Sequence, residues 1–182
     1  YGSTNDAWYT ISSPLVGNVA LSDVESLISE NNDYDLYRYD EPTSVWQNVK
    51  ESSNNFTTLE SGRGFLYANK YDVTLSFSGE LNGDDVSYYL TKTDDIILSG
   101  FHLIGNPFAH NIYKGEGAAI EDKNLATGYY TLSNSGAWGV KISSEIPITP
   151  GQGILVKTLQ EGDVTIKKIN TSPSRKSNVD VL

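Results

Sequence analysis

Two histidines, His102 and His110, and 23 acidic residues are the groups in this chain that could move protons. There is no cysteine, which excludes thiolate nucleophiles, zinc–thiolate sites and disulfides. A serine triad would need one of the two histidines together with a G-x-S-x-G elbow, and the chain has no such elbow. P-loop, H-E-x-x-H and G-x-G-x-x-G patterns are also missing from the sequence. His110 follows Pro107-Phe-Ala in a loop-like stretch, with no second histidine at metal-ligand spacing, and reads as a solvated loop residue. His102 sits in a strand-like run and reads as structural.

Paired carboxylates at about 5 or 9 Å could hydrolyse a glycoside. The acids here fall mainly in turn-like runs, Asp33/Asp35, Asp40/Glu41, Asp84/Asp85, Asp94/Asp95 and Glu121/Asp122, which read as solvated loop faces. Two runs are rich enough in oxygen to suit a hard cation: Asn31-Asn32-Asp33-Tyr34-Asp35 and Asn82-Gly83-Asp84-Asp85. Calcium on Asp33, Asp35, Asp84 and Asp85 is one expectation; plain Asx turns are the other, since neither run has EF-hand spacing. Twelve tyrosines and three tryptophans are the remaining feature. Trp8, Trp46 and Trp138 recur with an internal repeat and are expected in the core. Tyr34, Tyr88, Tyr113 and Tyr130 break the repeat's apolar alternation, so they are candidates to stack on sugar rings; the opposing reading is that tyrosine simply favours strands.

The elements that would position these residues come from a duplication. Trp8-Tyr-Thr-Ile-Ser-Ser-Pro14-Leu15 matches Phe101-His-Leu-Ile-Gly-Asn-Pro107-Phe108 at an offset of 93, with His102 at the place of Tyr9. Leu36-Tyr37-Arg38-Tyr39 with Trp46 matches Gly128-Tyr129-Tyr130-Thr131 with Trp138 at an offset of 92. Gly62-Arg63-Gly64-Phe65-Leu66 matches Gly151-Gln152-Gly153-Ile154-Leu155 at 89, and Asp72-Val73-Thr74-Leu75 matches Asp163-Val164-Thr165-Ile166 at 91. Four blocks in one order at nearly one spacing mark a repeat. Each unit reads as short strands. Val73, Leu75 and Phe77 alternate onto one face, Gly-x-Gly turns feed apolar strands, and Tyr130–Trp138 reads as a hairpin around Ser133-Asn-Ser-Gly136. One short helix is expected from the capping-box spacing Ser22-Asp-Val-Glu25, with Leu21, Val24, Leu27 and Ile28 on one side. The expectation is an all-β chain of antiparallel, sandwich-like sheets: a first unit over 1–93, a second over 94–170, and a linker-like tail over 171–182.

Composition bounds the partners. The net charge of −10 argues against nucleic acid, which needs a basic face, and against an anionic lipid surface. No run of about 18 apolar residues is present, so no helical membrane insertion is expected. The lack of methionine suggests a piece of a longer chain.

Phe101-His-Leu-Ile-Gly-Asn-Pro-Phe108, Trp138, and Ile146-Pro147 through Pro150-Gly-Gln-Gly-Ile-Leu-Val-Lys157 together resemble a repeated segment of Bacteroidetes secreted and cell-surface proteins. There a G-W-N-L-I-G-N-P-Y stretch is followed by an I-x-P-x-Q-G-F-like stretch, often before the C-terminal sorting region of adhesin-like, type IX secretion-associated proteins. The second unit matches well; the first departs from the pattern where Ser12-Ser13 replaces Gly-Asn. The resemblance implies an extracellular or cell-surface β module with no catalytic residue. The expected function is adhesion or structural spacing, the alternative is a carbohydrate-binding module of a glycan-processing protein, and a hydrolase domain stands behind both. Expected partners are a host or microbial protein or glycan.

Overall fold

The structure, a computed structural model, describes residues 7–25, 27, 33–133 and 135–169. In chain order the strands are β1 (Trp8–Ile11), β2 (Val19–Ala20), β3 (Val24–Glu25), β4 (Tyr34–Asp40), β5 (Val45–Asn48), β6 (Thr58–Leu59), β7 (Phe65–Asn69) and β8 (Ser76–Phe77). They continue as β9 (Val86–Leu90), β10 (Phe101–Gly105), β11 (Tyr129–Leu132), β12 (Trp138–Lys141), β13 (Gly153–Lys157) and β14 (Gly162–Ile166). The chain is all-β, and among the described residues the helical turns are two three-residue 3-10 segments.

Two four-stranded antiparallel sheets form the frame, in the orders β1-β7-β4-β5 and β10-β13-β11-β12. The two orders correspond strand for strand. The register corresponds as well: Ile11 opposes Phe65 and Trp8 opposes Ala68, while Ile104 opposes Ile154 and Phe101 opposes Lys157. Strand alternation sends Leu36, Phe65 and Tyr67 into one core with Val24, Phe56 and Leu59. In the second sheet Ile104, Ile154 and Val156 enter another core with Phe108, Ile112, Ile120 and Ile148. Ala68, Leu103 and Leu155 lie on the opposite sheet faces and are also buried. Contacts of β1 with β11 and β13, and of β10 with β4 and β7, set those faces toward one another.

The Gly-x-Gly turns close the seam between the sheets by crossing. The Ser12 N–H donates to the Gly151 carbonyl and the Gly105 N–H to the Gly62 carbonyl, both at 2.9 Å. Ile11 bridges Gln152, and Ile104 bridges Arg63. The approach is too close for side chains. A Cβ on Gly105 would stand 2.2 Å from Ser12 Cβ and 2.6 Å from the Arg63 carbonyl oxygen, and one on Gly64 would stand 2.7 Å from the Ile104 oxygen. Asn106, fully buried, completes the seam: its amide donates to the carbonyls of His110 and Ile148, and its oxygen accepts the Phe108 N–H. The Gly-Asn and Gly-x-Gly motifs are therefore packing devices.

Several expectations change. The capping box does not start an α-helix. Ser22 Oγ turns to the Asp23 carboxylate, Leu21–Asp23 makes one 3-10 turn, and Val24 extends to pair with Phe77 as β3, because that pairing buries Val24 completely. Of the alternating run Val73–Phe77, Ser76 and Phe77 form a strand, Leu75 and Phe77 reach the first core, and Val73 stays exposed. Trp138 is exposed on the outer strand β12, while Trp8 and Trp46 are half-buried. The repeat alignment slides by one residue: Tyr37 opposes Leu66 and Tyr130 opposes Leu155, so Tyr37 corresponds to Tyr130 at an offset of 93. Their rings meet Trp8 and Phe101 in the same way, each at 6.0 Å and 52°. β9 lies on the first unit's side of residue 93, yet it pairs along its length with β14 and places Leu90 in the second core. Residues 26 and 28–32, which carry part of the expected helix and Asn31-Asn32, and the tail 171–182 lie outside the described residues. No helix among the described residues is long and apolar enough to cross a membrane.

Candidate functional site

A groove of about 550 Å³ opens where the first sheet meets the seam. That volume lies inside the roughly 300–1,000 Å³ range of ligand sites. Tyr9 and Tyr67 are direct cross-strand partners on β1 and β7, so both rings rise from one face and form the floor. Tyr71–Leu75, the segment leaving β7, forms one wall, and Thr149–Gln152 of the second half forms the other. Tyr9 is 48% exposed and Tyr71 55%, which is unusual for rings lining a concavity unless something covers them.

Asn69 organises the groove. Its side-chain N–H donates to the Tyr67 phenol oxygen at 2.8 Å, and its oxygen accepts the Tyr71 N–H at 2.8 Å. One amide thus fixes both the floor ring and the turn that carries the wall ring. Burial pushes the Tyr67 phenol pKa above its ordinary value, so the phenol keeps its hydrogen while accepting from Asn69. The Lys70 ammonium lies 5.2 Å from the Tyr71 ring centroid. Thr10, Asp72, Thr74 and Gln152 also line the groove; the Thr10 hydroxyl donates to the Gly153 carbonyl at 2.6 Å and the Gln152 amide oxygen accepts the Thr149 N–H at 3.0 Å. Rings, amides and hydroxyls are the groups by which binding grooves hold ligands through stacking and hydrogen bonding.

The residues singled out from sequence are scattered through the fold. Tyr34 is half-buried on the first core and 6.4 Å from Tyr67, one shell behind the groove. Tyr88 packs against the second core with a buried hydroxyl that has no hydrogen-bond partner among the described residues, and burial pushes its pKa far up. Tyr113 sits between the bridges of Ile112 and Lys114, and Tyr130 packs on Phe101; neither lines the groove. Asp35 pairs with Lys50 at 2.8 Å and Asp33 with Lys70 at 4.0 Å. Asp85 accepts the Lys168 N–H at 2.8 Å, and the Asp84 carbonyl accepts from Asn82. Among the described residues no group of three or more acidic or histidine side chains could hold a metal ion.

Two titratable groups depart from their expected surroundings. Glu41, read as a turn acid, is 1% exposed. Oε1 accepts the N–H groups of Gly100 and Thr93, both at 2.8 Å, and Oε2 accepts the hydroxyls of Thr91 at 2.7 Å and Thr93 at 3.0 Å. Burial works to raise its pKa, but those hydrogen bonds outweigh it and hold the carboxyl at about 2. Glu41 thus pins the segment joining β9 to β10. His102 serves the same segment: the Thr91 carbonyl can only accept, so Nε2 carries the proton and donates at 2.7 Å, and burial lowers the ring's pKa. His110 stacks on Phe108 at 5.1 Å with Nε2 buried, where a solvated loop residue was expected.

The groove tyrosines Tyr9, Tyr67 and Tyr71 were missed in the sequence because all three lie inside the recurring blocks or directly beside them and look structural. Their signal is a difference between the copies: Tyr9 stands where the second unit has His102, and Tyr71 where it has Gly162. Comparison of the chain with family models, with curated proteins and with solved structures finds no significant match.

Proposed function

We propose that the chain is a non-catalytic β module of a larger bacterial surface or secreted protein, built from two diverged copies of one unit, and that the groove beside the seam is its docking site for adhesion or assembly. The observation that carries this reading is the pair of exposed tyrosines, Tyr9 and Tyr71, set into a formed groove in which Asn69 fixes Tyr67, the cross-strand partner of Tyr9, and the turn that carries Tyr71. The identical strand orders and the reciprocal crossing of the Gly-x-Gly turns support the duplication. The placement of the proton-moving groups supports a binding role over a chemical one. His102 and Glu41 hold the connecting segment, and Lys114 is buried against Asp122.

The test is a binding screen of the purified chain against arrays of glycans and of extracellular proteins, with the Tyr9→Ala and Tyr71→Ala variants alongside. A reproducible hit weakened at least tenfold by either variant supports the groove as the docking site. Hits that survive both variants place the site elsewhere. Release of a cleaved product from any hit sinks the non-catalytic reading.

A further inference from the structure

The two sheets end differently at their outer strands. β5 and β12 hold matching places, each at the edge of its sheet beyond β4 or β11. β5 is closed at its end by its own chain: the Asn48 carbonyl accepts the Glu51 N–H at 3.2 Å and the Asn54 amide at 2.8 Å. Among the described residues β12 pairs with β11 alone, and its other side is uncovered by any strand. Antiparallel pairing alternates, and the Ser133 N–H bonds the Ala137 carbonyl. With Leu132 opposite Trp138 and Tyr130 opposite Val140, that alternation turns the main-chain groups of Trp138 and Val140 outward, to the open edge. Their side chains are apolar and exposed as well, Trp138 at 37% and Val140 at 59%, and Ile142, next in the alternation, is 77% exposed. Edge strands are ordinarily blunted by charge, proline or a bulge. The one charged residue of β12 is Lys141, whose side chain alternates away from Trp138 and Val140.

We propose that β12 is a self-association edge, which pairs antiparallel with β12 of a second copy of this chain about a two-fold axis through Val140. Symmetry and charge name the occupant. Trp138 and Ile142 are equally spaced about Val140, so Trp138 of one copy meets Ile142 of the other, and the outward N–H and C=O groups of each edge satisfy those of its partner. Lys141 falls opposite Gly139 and not opposite itself, so no like charges oppose each other directly. The net charge of −10 makes two copies repel over most of their surface, whereas residues 124–144 carry a single charge, that of Lys141. The hairpin of β11 and β12 is therefore where a second copy can approach. Pairing there joins the sheet β10-β13-β11-β12 of each copy into one continuous sheet. Trp138, Val140 and Ile142 do not line the groove, so the edge goes beyond the docking reading and stands without it.

The test is sedimentation velocity on the full chain from about 1 μM to about 1 mM, where a dimer at twice the monomer mass should grow with concentration. Amide exchange at Trp138 and Val140 should slow as it forms. Val140→Lys sets two ammonium groups face to face at the axis and should raise the dimer dissociation constant on the order of a hundredfold. The Tm of the dilute monomer should stay within about 2 °C of the unchanged chain, because Val140 is exposed. Val140→Glu should weaken the dimer in the same way, and mixing the two variants should restore it, since each lysine then faces a glutamate. A monomer throughout that range overturns the proposal. So does a dimer that both variants leave intact, or a pair of weakened variants that do not rescue each other on mixing. Trp138 and Val140 amides protected equally at every dilution would mean that the chain's own residues cover the edge, and would sink it too.

Discussion

Removing the Glu41 carboxylate tests how the two halves are tied together. Glu41→Ala strands the main-chain N–H groups of Gly100 and Thr93, which cannot turn toward water as the hydroxyls of Thr91 and Thr93 can. A stranded buried donor costs about 1–3 kcal/mol, so two cost about 2–6 kcal/mol, in line with about 3–5 kcal/mol for breaking a buried charged network. For a chain of this size that lowers Tm by roughly 8–16 °C, taking about 4 kcal/mol. Glu41→Gln keeps an acceptor for both N–H groups and loses the charge, so its loss is smaller, on the order of 1–2 kcal/mol at pH 7. The pH dependence gives an independent measure. The folded-state pKa of about 2 lies below the ordinary value of 4.5. A depressed acid stabilises the fold above its unfolded pKa and loses that contribution as pH falls from about 4.5 through about 2. The shift corresponds to on the order of 3 kcal/mol. Urea unfolding followed by tryptophan fluorescence at pH 7, 4.5 and 3 reads both quantities. The gap between wild type and Glu41→Gln should narrow steadily below pH 4.5. A loss under 1 kcal/mol for Glu41→Ala at pH 7, or a gap that does not change between pH 5 and 3, refutes the clamp.

Three further outcomes follow from the same geometry. Gly105→Ala should destabilise by about 3 kcal/mol or more, since its Cβ overlaps Ser12 and the Arg63 carbonyl; adding Ser12→Gly should recover part of that loss, and additivity of the two changes in a double-mutant cycle would contradict the crossed seam. Tyr88→Phe removes a buried hydroxyl with no partner among the described residues and should raise stability by about 1 kcal/mol, roughly 3 °C in Tm; a drop of that size in a thermal melt would mean the hydroxyl is bonded. A chelator should leave Tm unchanged, because Asp33 and Asp35 face lysines and Asp85 accepts a main-chain N–H; a fall of several degrees that calcium reverses would restore the cation reading.

The strand content and the Gly-x-Gly turns were legible because they rest on local pattern: alternation and turn glycines. The capping box misled because its helix signal is also local, and burial of Val24 opposite Phe77 overrode it. The one-residue slide between Tyr37 and Tyr130 was invisible because the hairpin that absorbs it follows those residues. Pairing against Leu66 and Leu155 fixes the correspondence. Glu41 looked like any turn acid until the connecting segment folded over it, and Tyr88 looked like a free ring until β9 crossed to β14.

By itself the sequence determined the all-β class and the exclusion of thiolate chemistry, since each depends on composition or short-range period. The tertiary structure alone decided which face of each strand is covered, that the two Gly-x-Gly turns exchange partners across the seam, and that Tyr9, Tyr67 and Tyr71 converge on a groove. The physical reason is that residues more than fifty positions apart meet there, and the sterics of a seam that admits no Cβ at Gly64 or Gly105 choose which of them do.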